Sequence, residues 1–70
     1  MIEIGKVYTF ITEDPDLSHC NGQKLRVIRL LDEEENPMSP IYNMYQCLFL
    51  EDDTKIDAYE YELQEVEDDG

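Results

Sequence analysis

The 70-residue sequence predicts an all-β domain built from five short strands, and two observations lead to this prediction. First, residues 12–22, 32–40, 51–54 and 65–70 are rich in the Pro, Gly, Asn, Asp and Ser residues that favour turns. Second, the runs between them are rich in β-branched and aromatic residues: KVYTFIT, QKLRVIRLL, IYNMYQCLFL and KIDAY. Several such runs, separated by turn signals, are typical of an antiparallel meander.

The first two runs require different arguments. KVYTFIT follows Gly5 and is expected to place Val7 in the core. In GQKLRVIRLL, the apolar residues would spread around nearly every angle of a helix, so no apolar stripe forms. As a strand, the same run places Leu25 and Val27 on one face and Arg26 on the other, with a bulge or two-sided burial at residues 28–31. We therefore favour a strand, and the alternative is an α+β fold in which residues 22–34 are helical.

The third and fourth runs predict a hairpin. Tyr45, Cys47 and Phe49 form an apolar face that alternates with a mixed one, and KIDAY alternates in the same way. The acidic segment EDDT (residues 51–54) is short enough to join them as a hairpin connection.

The segment DAYEYELQ (residues 57–64) predicts a tight turn rather than a helix. A helix here would be short, would have no good cap, and would carry glutamates near the wrong end of its dipole. A 3-10 turn at residues 59–62 instead carries the chain across the end of the sheet and lets Leu63 enter the core before a last strand, LQEV. The predicted core residues are Val7, Leu25, Val27, Tyr45, Cys47, Phe49, Ile56, Ala58 and Leu63.

These motifs together resemble small SH3-like barrels of the Tudor and KOW type. The similarity rests on Gly5-Lys6-Val7 opening a strand, Gly22 before the strand that carries Val27, and the stretch YQCLFLEDDTKIDAYEYELQEV. Asp52-Asp53 stands where the family's hairpin has Asp-Gly, and Glu62-Leu63 marks its closing turn. The resemblance implies one five-stranded SH3-like barrel over residues 1–66, followed by an acidic tail at residues 67–70. Closing the sheet would shield its edges.

The charge balance restricts the partners. The chain has 18 acidic residues against five Lys and Arg, a formal net charge of −13. Such a chain is repelled by nucleic-acid backbones and by anionic membranes, so we expect no direct nucleic-acid or membrane partner. We expect a basic protein or peptide partner instead. The bases Lys24, Arg26 and Arg29 form a small cluster on the second strand, which we interpret as an internal counterweight to the acids.

The sequence also predicts where the protein is located and whether its cysteines are paired. The opening MIEIGKVYTF lacks the basic stretch and apolar run of a signal peptide, and no segment approaches the roughly 18 apolar residues of a membrane span. We therefore expect a cytoplasmic protein in which Cys20 and Cys47 stay reduced and unpaired.

Catalytic, cofactor and metal chemistry are not expected. The single histidine, His19, is adjacent to Cys20, and neighbours in an extended loop usually point apart rather than forming a nucleophile pair. His19, Cys20 and Cys47 give too few ligands for zinc, and DPDLSHCNG has His19 where a calcium loop requires glycine. A barrel this small is also expected to have little room for a cavity of several hundred cubic ångströms. We predict a protein that is not an enzyme, with no catalytic residue, cofactor or metal.

Three functions remain. The first is a protein-interaction module that holds Lys or Arg of a basic partner against exposed tyrosines and acids. The tyrosines considered are Tyr8, Tyr42, Tyr59 and Tyr61, and the predicted contact residues are Tyr42, Tyr59, Glu60, Tyr61 and Glu62. The second is a nucleic-acid mimic, such as a phage-borne inhibitor of a DNA- or RNA-binding protein. The third is a structural protein.

Overall fold

The protein folds as a single antiparallel five-stranded sheet. The computed structural model describes residues 2–66, so the predicted acidic tail at residues 67–70 lies outside the described part. The strand order is β4-β3-β2-β1-β5. The elements are β1 (Val7–Phe10), the 3-10 helix η1 (Pro15–Cys20), β2 (Lys24–Leu30), β3 (Met44–Phe49), β4 (Lys55–Tyr59), the 3-10 helix η2 (Glu60–Glu62) and β5 (Leu63–Glu65). The all-β prediction is confirmed, and the helical alternative for residues 22–34 is wrong.

The sheet is strongly curled but not closed. β4 and β5 lie at opposite ends of the strand order, so a flat sheet would hold them about 19 Å apart at roughly 4.8 Å per strand. The three residues of η2 connect them, and a 3-10 segment rises only about 2 Å per residue, so the sheet must bend to bring these ends together.

The predicted barrel closure is not found among residues 2–66, where β4 and β5 lie at opposite ends of the strand order. The Glu60 N–H donates to the carbonyl of Asn43 at 2.9 Å, and the Glu62 carbonyl accepts from the Ile11 N–H at 2.9 Å. Among residues 2–66, β4 pairs only with β3, and β5 pairs only with β1.

Of the two alternatives given for residues 28–31, a bulge or two-sided burial, the structure has a bulge in β2. Val27 pairs with Cys47 and Arg29 pairs with Gln46, so the register shifts between these two positions and Ile28 is left without a partner. A bulge bends its strand and increases the local twist, which suits a curled sheet. Beyond it, Leu31 is buried and donates its N–H to the carbonyl of Met44 at 2.9 Å.

The main core lies on the inner face of the curled sheet. It contains Tyr8, Phe10, Leu25, Val27, Tyr45, Cys47, Phe49, Ala58 and Leu63. Phe10 and Phe49 meet edge to face, with their ring centroids 5.8 Å apart. Ile56 is half-buried and packs against this core.

The prediction for β1 had the wrong phase. Tyr8 pairs with the buried Leu25, whereas Val7 pairs with the exposed Arg26, so Tyr8 enters the core and Val7 lies half-buried on the outer face. Phe10 is fully buried on the same side as Tyr8. The strand has apolar side chains on both faces, so only its pairing with β2 decides which face turns inward.

Two connections have local causes. In the loop before β2, the Asp14 carboxylate accepts the Asp16 N–H at 2.9 Å and Pro15 occupies the first turn, which starts η1. In the acidic hairpin, Asp53 adopts a φ of +59°. Asp and Asn tolerate this conformation better than other non-glycine residues.

Candidate functional site

Three tyrosines that are separate in sequence meet at one corner of the sheet. We call Tyr42, Tyr59 and Tyr61 the tyrosine corner, a name used here for these three rings and not for the Greek-key motif of the same name. The rings of Tyr59 and Tyr61 are stacked, with centroids 5.3 Å apart and planes 5° apart. Tyr42 contacts Tyr61 edge to face at 5.0 Å. The structure therefore brings together all three tyrosines that the sequence singled out as contact residues.

Each tyrosine is placed by a different element. Tyr59 ends β4 on the outer face, where it pairs with Met44, and Tyr61 lies in the middle of η2. Tyr42 precedes β3 by two residues. Tyr61 is 60% exposed and Tyr42 is 39% exposed, whereas Tyr59 is half-buried beneath them. Isolated exposed apolar groups are common on protein surfaces, but a cluster of aromatic rings marks a candidate contact site.

Tyr8 is not one of the three clustered rings. It is 1% exposed, and its hydroxyl oxygen accepts the backbone N–H of Glu3 at 2.9 Å. β1 turns its side chain into the core, and it also lines the groove described below.

The two predicted glutamates have different environments. The Glu62 carboxylate accepts the Tyr59 N–H at 2.9 Å and the hydroxyl of the buried Thr12 at 2.6 Å. It therefore fastens η2 to the segment that follows β1. The Glu60 carboxylate accepts a single long bond of 3.3 Å from the Asn43 N–H, and it lines a neighbouring groove.

An open groove of about 590 Å³ adjoins the tyrosine corner. It is lined by Ile2, Tyr8, Asn43, Tyr45, Glu60, Tyr61, Leu63 and Glu65. The groove is open to solvent, so it is a surface depression and not the enclosed cavity that the small size of the domain argues against. Sequence reasoning missed Ile2, Asn43, Tyr45 and Glu65, because Tyr45 reads as a core residue and the others belong to segments that meet only in the folded protein.

Carboxylates surround the site. The pKa of the Tyr61 hydroxyl is raised, first by desolvation and then by the charge of Glu62, with smaller contributions from Tyr59, Tyr42 and Glu13. The pKa of Tyr45 is raised by desolvation and then by the charge of Glu60. Both phenols are therefore neutral at pH 7, and the surrounding carboxylates make the site attractive to cations.

The two cysteines and the histidine form no comparable site. Cys20 and Cys47 are free thiols, and burial raises the pKa of Cys47 to about 12, so its thiolate is scarce at neutral pH. His19 is exposed in the last turn of η1. Residues 2–66 contain no group of three His, Cys, Asp or Glu side chains placed to hold a metal ion. In the same part of the chain, no helix is long and apolar enough to cross a bilayer.

No protein-family model, curated protein or solved structure matches this chain. The chemistry of the site therefore rests on its own geometry. A stacked aromatic cluster beside a groove with acidic walls can hold a cationic side chain and an adjoining apolar one.

Proposed function

We propose that this domain is a non-enzymatic interaction module that binds a basic protein or peptide through the tyrosine corner and its groove. The observation that carries the proposal is the edge-to-face contact of the exposed Tyr61 and Tyr42 rings beside the groove that Glu60 lines. Aromatic faces attract cations through their quadrupole, and nearby carboxylates steer cations toward them.

Each single contact of this kind is weak. An exposed cation–π pair contributes about 0.5–1 kcal/mol, and an exposed ion pair contributes about 0–1 kcal/mol. Useful affinity therefore requires a ligand that combines cationic groups with an apolar side chain in the groove, beside Leu63 and Tyr45. An extended segment with alternating basic and apolar residues satisfies both requirements.

We further propose that the domain is an SH3-like barrel of the Tudor and KOW type, open between β4 and β5. Its element order supports this kinship: a strand, a variable loop, a strand, a hairpin, and a 3-10 turn carrying Glu62-Leu63 before a last strand. Asp53 adopts a positive φ where the family's hairpin has glycine, which supports it further.

The module explains the carboxylates better than a nucleic-acid mimic does. A mimic needs free carboxylates in rows, yet several acids here are engaged within the chain. Glu35 pairs with Arg29, Glu65 pairs with Lys6, and Glu62 accepts two hydrogen bonds.

A binding experiment tests the proposal. The probe is a fluorescein-labelled peptide, Gly-Lys-Leu-Arg-Lys-Gly, measured by fluorescence anisotropy against a peptide in which Glu replaces each basic residue. Only the basic peptide is expected to bind, and Tyr61→Ala is expected to weaken it by about fivefold, equivalent to about 1 kcal/mol. Leu30→Ala is the matched control, because Leu30 is also exposed (51%) but lies outside the site.

A charge-matched pair separates local contacts from net charge. Glu60→Gln and Glu33→Gln each remove one negative charge, but only Glu60 lines the groove. Binding should weaken more for Glu60→Gln, and the difference should shrink as salt shortens the screening length to about 8 Å near 0.15 M. Equal effects of the two variants, or no loss with a folded Tyr61→Ala protein, would rule out the tyrosine corner as the contact site.

A further inference from the structure

Four of the five basic residues in this acidic chain lie on the outer face of the sheet. In β2, Leu25 and Val27 are buried in the core, so the alternating Lys24 and Arg26 point outward. Arg29 pairs with Gln46 on the outer side, and in β4 the exposed Lys55 alternates with the inward Ile56. Lys6 is the fifth base, and it pairs with Glu3 and Glu65 instead.

The strand register places these bases next to apolar side chains. Arg26 pairs with Leu48, and Leu48 pairs with Lys55, so the two cations flank one leucine across three strands. At about 4.8 Å per strand, the backbones of Arg26 and Lys55 are roughly 10 Å apart. Lys24 lies two residues before Arg26 in β2, and its carbonyl accepts the N–H of Leu50 at 3.0 Å. We call Lys24, Arg26, Leu48, Leu50 and Lys55 the basic face.

Internal neutralisation accounts for only one of the four outward bases. Arg29 is held by both carboxylate oxygens of Glu35, at 2.9 and 2.7 Å. Among residues 2–66, Lys24 and Lys55 form no ion pair, and Arg26 donates to the uncharged carbonyl of Gly5 at 3.1 Å. The interpretation of the bases as a counterweight therefore holds for Arg29 and not for the basic face.

The basic face also has a place for an apolar group. Leu50 is 47% exposed, and a shallow depression of about 400 Å³ lies beside it. The depression is lined by Gly22, Gln23, Lys24, Leu50 and Glu51. A ligand here would meet the side chains of Lys24 and Glu51 beside an exposed leucine.

We propose that the basic face docks an acidic protein segment that carries an apolar side chain. Carboxylates of the segment pair with Lys24 and Lys55, and its apolar side chain occupies the depression beside Leu50. A nucleic acid fits less well, because no aromatic side chain of the basic face can stack on bases.

This surface is separate from the tyrosine corner. Lys55 begins β4 and Tyr59 ends it, so about 13 Å of strand lies between the two sites. The domain thus presents an acidic aromatic site at one end of its strands and a basic apolar site at the other, and two partners of opposite charge can bind together.

An NMR titration tests the second site. The probe is the peptide acetyl-Asp-Leu-Glu-Leu-Asp-amide, added to the ¹⁵N-labelled full chain at low salt. Amide shifts are expected for residues 22–26, 48–51 and 55, and not for residues 59–62. Lys55→Gln should weaken binding about threefold, as expected for one exposed charge pair, whereas Lys6→Gln, with the same charge change off this face, should leave it unchanged.

A second pair of variants tests the apolar contact. Leu50→Gln should weaken binding, and Ile41→Gln should not, because Ile41 is 71% exposed but lies in the loop at the other end of the strands. Three results would overturn the proposal: no peptide-dependent shifts, tighter binding of a ten-residue oligothymidylate than of the peptide, or shifts of these amides on simple concentration of the protein. The second would indicate a nucleic-acid site, and the third would indicate contact with a second copy of the chain.

Discussion

Replacing Glu62 with alanine should destabilise the fold far more than replacing its neighbour Glu60. The Glu62 carboxylate joins η2 to the segment after β1 through two hydrogen bonds, from the Tyr59 N–H and from the Thr12 hydroxyl. Thr12 is only 7% exposed, so its hydroxyl would find little water once the carboxylate is removed. Glu60 receives one bond of 3.3 Å.

The magnitude follows from these contacts. A hydrogen bond to a charged group contributes about 1.5–3 kcal/mol, and the half-buried position of Glu62 argues for the lower end, so losing both bonds costs about 2–3 kcal/mol. A chain of this size has a total stability of roughly 3–10 kcal/mol. The melting temperature should therefore fall by about 10–20 °C, since each kcal/mol corresponds to about 4–8 °C in domains this small.

Urea unfolding followed by tyrosine fluorescence and circular dichroism measures this loss. Glu60→Ala carries the same charge change two residues away and should cost less than about 0.5 kcal/mol. A double-mutant cycle with Thr12→Val should give a coupling of about 1–2 kcal/mol. If the Glu62→Ala and Glu60→Ala proteins unfold at the same urea concentration, or if the cycle shows no coupling, Glu62 does not fasten η2.

Four further outcomes are expected. Arg29 lowers the pKa of Glu35 to about 2, so its stabilisation is complete above about pH 4.5 and is lost as the pH falls through 2; Arg29→Gln should raise that pKa in a carboxyl-carbon NMR titration. Iodoacetamide should modify Cys20 long before the buried Cys47, as mass spectrometry of the folded protein would show. Asp53→Gly should raise the free energy of unfolding by up to about 1 kcal/mol, and with it the urea midpoint, because glycine accepts the positive φ without strain. Moderate salt should raise the melting temperature, because it screens self-repulsion at a net charge of −13. Equal labelling of the two cysteines contradicts the second expectation. An unchanged or lower pKa, urea midpoint or melting temperature contradicts the other three.

Local patterns were sufficient where residues close together in sequence decide the backbone conformation. The alternation of Tyr45, Cys47 and Phe49 predicted a strand, and the lost alternation after Val27 predicted the bulge. The tight turn before Leu63 is present as η2, although the Glu62 carboxylate caps it through the Tyr59 N–H, which the sequence argument did not expect. The choice of Tyr42, Tyr59 and Tyr61 as contact residues came instead from the resemblance to SH3-like folds, and the structure places these three rings together.

Pairing across the sheet decided the rest. Val7 and Tyr8 are both compatible with a core position, and only the register with β2 placed Tyr8 inside. Glu62 looked like a surface acid because its partner Thr12 lies 50 residues away in sequence. The open edge between β4 and β5 likewise appears only in the strand order of the folded sheet.

By itself, the sequence determined the strands, their turns and the excess of acidic charge, because these depend on neighbours within a few residues. The tertiary structure alone decided that Arg26, Leu48 and Lys55 form one row and that Tyr42 meets Tyr61 at the far end of the strands. Strand register joins residues that are distant along the chain, and no local pattern encodes that distance.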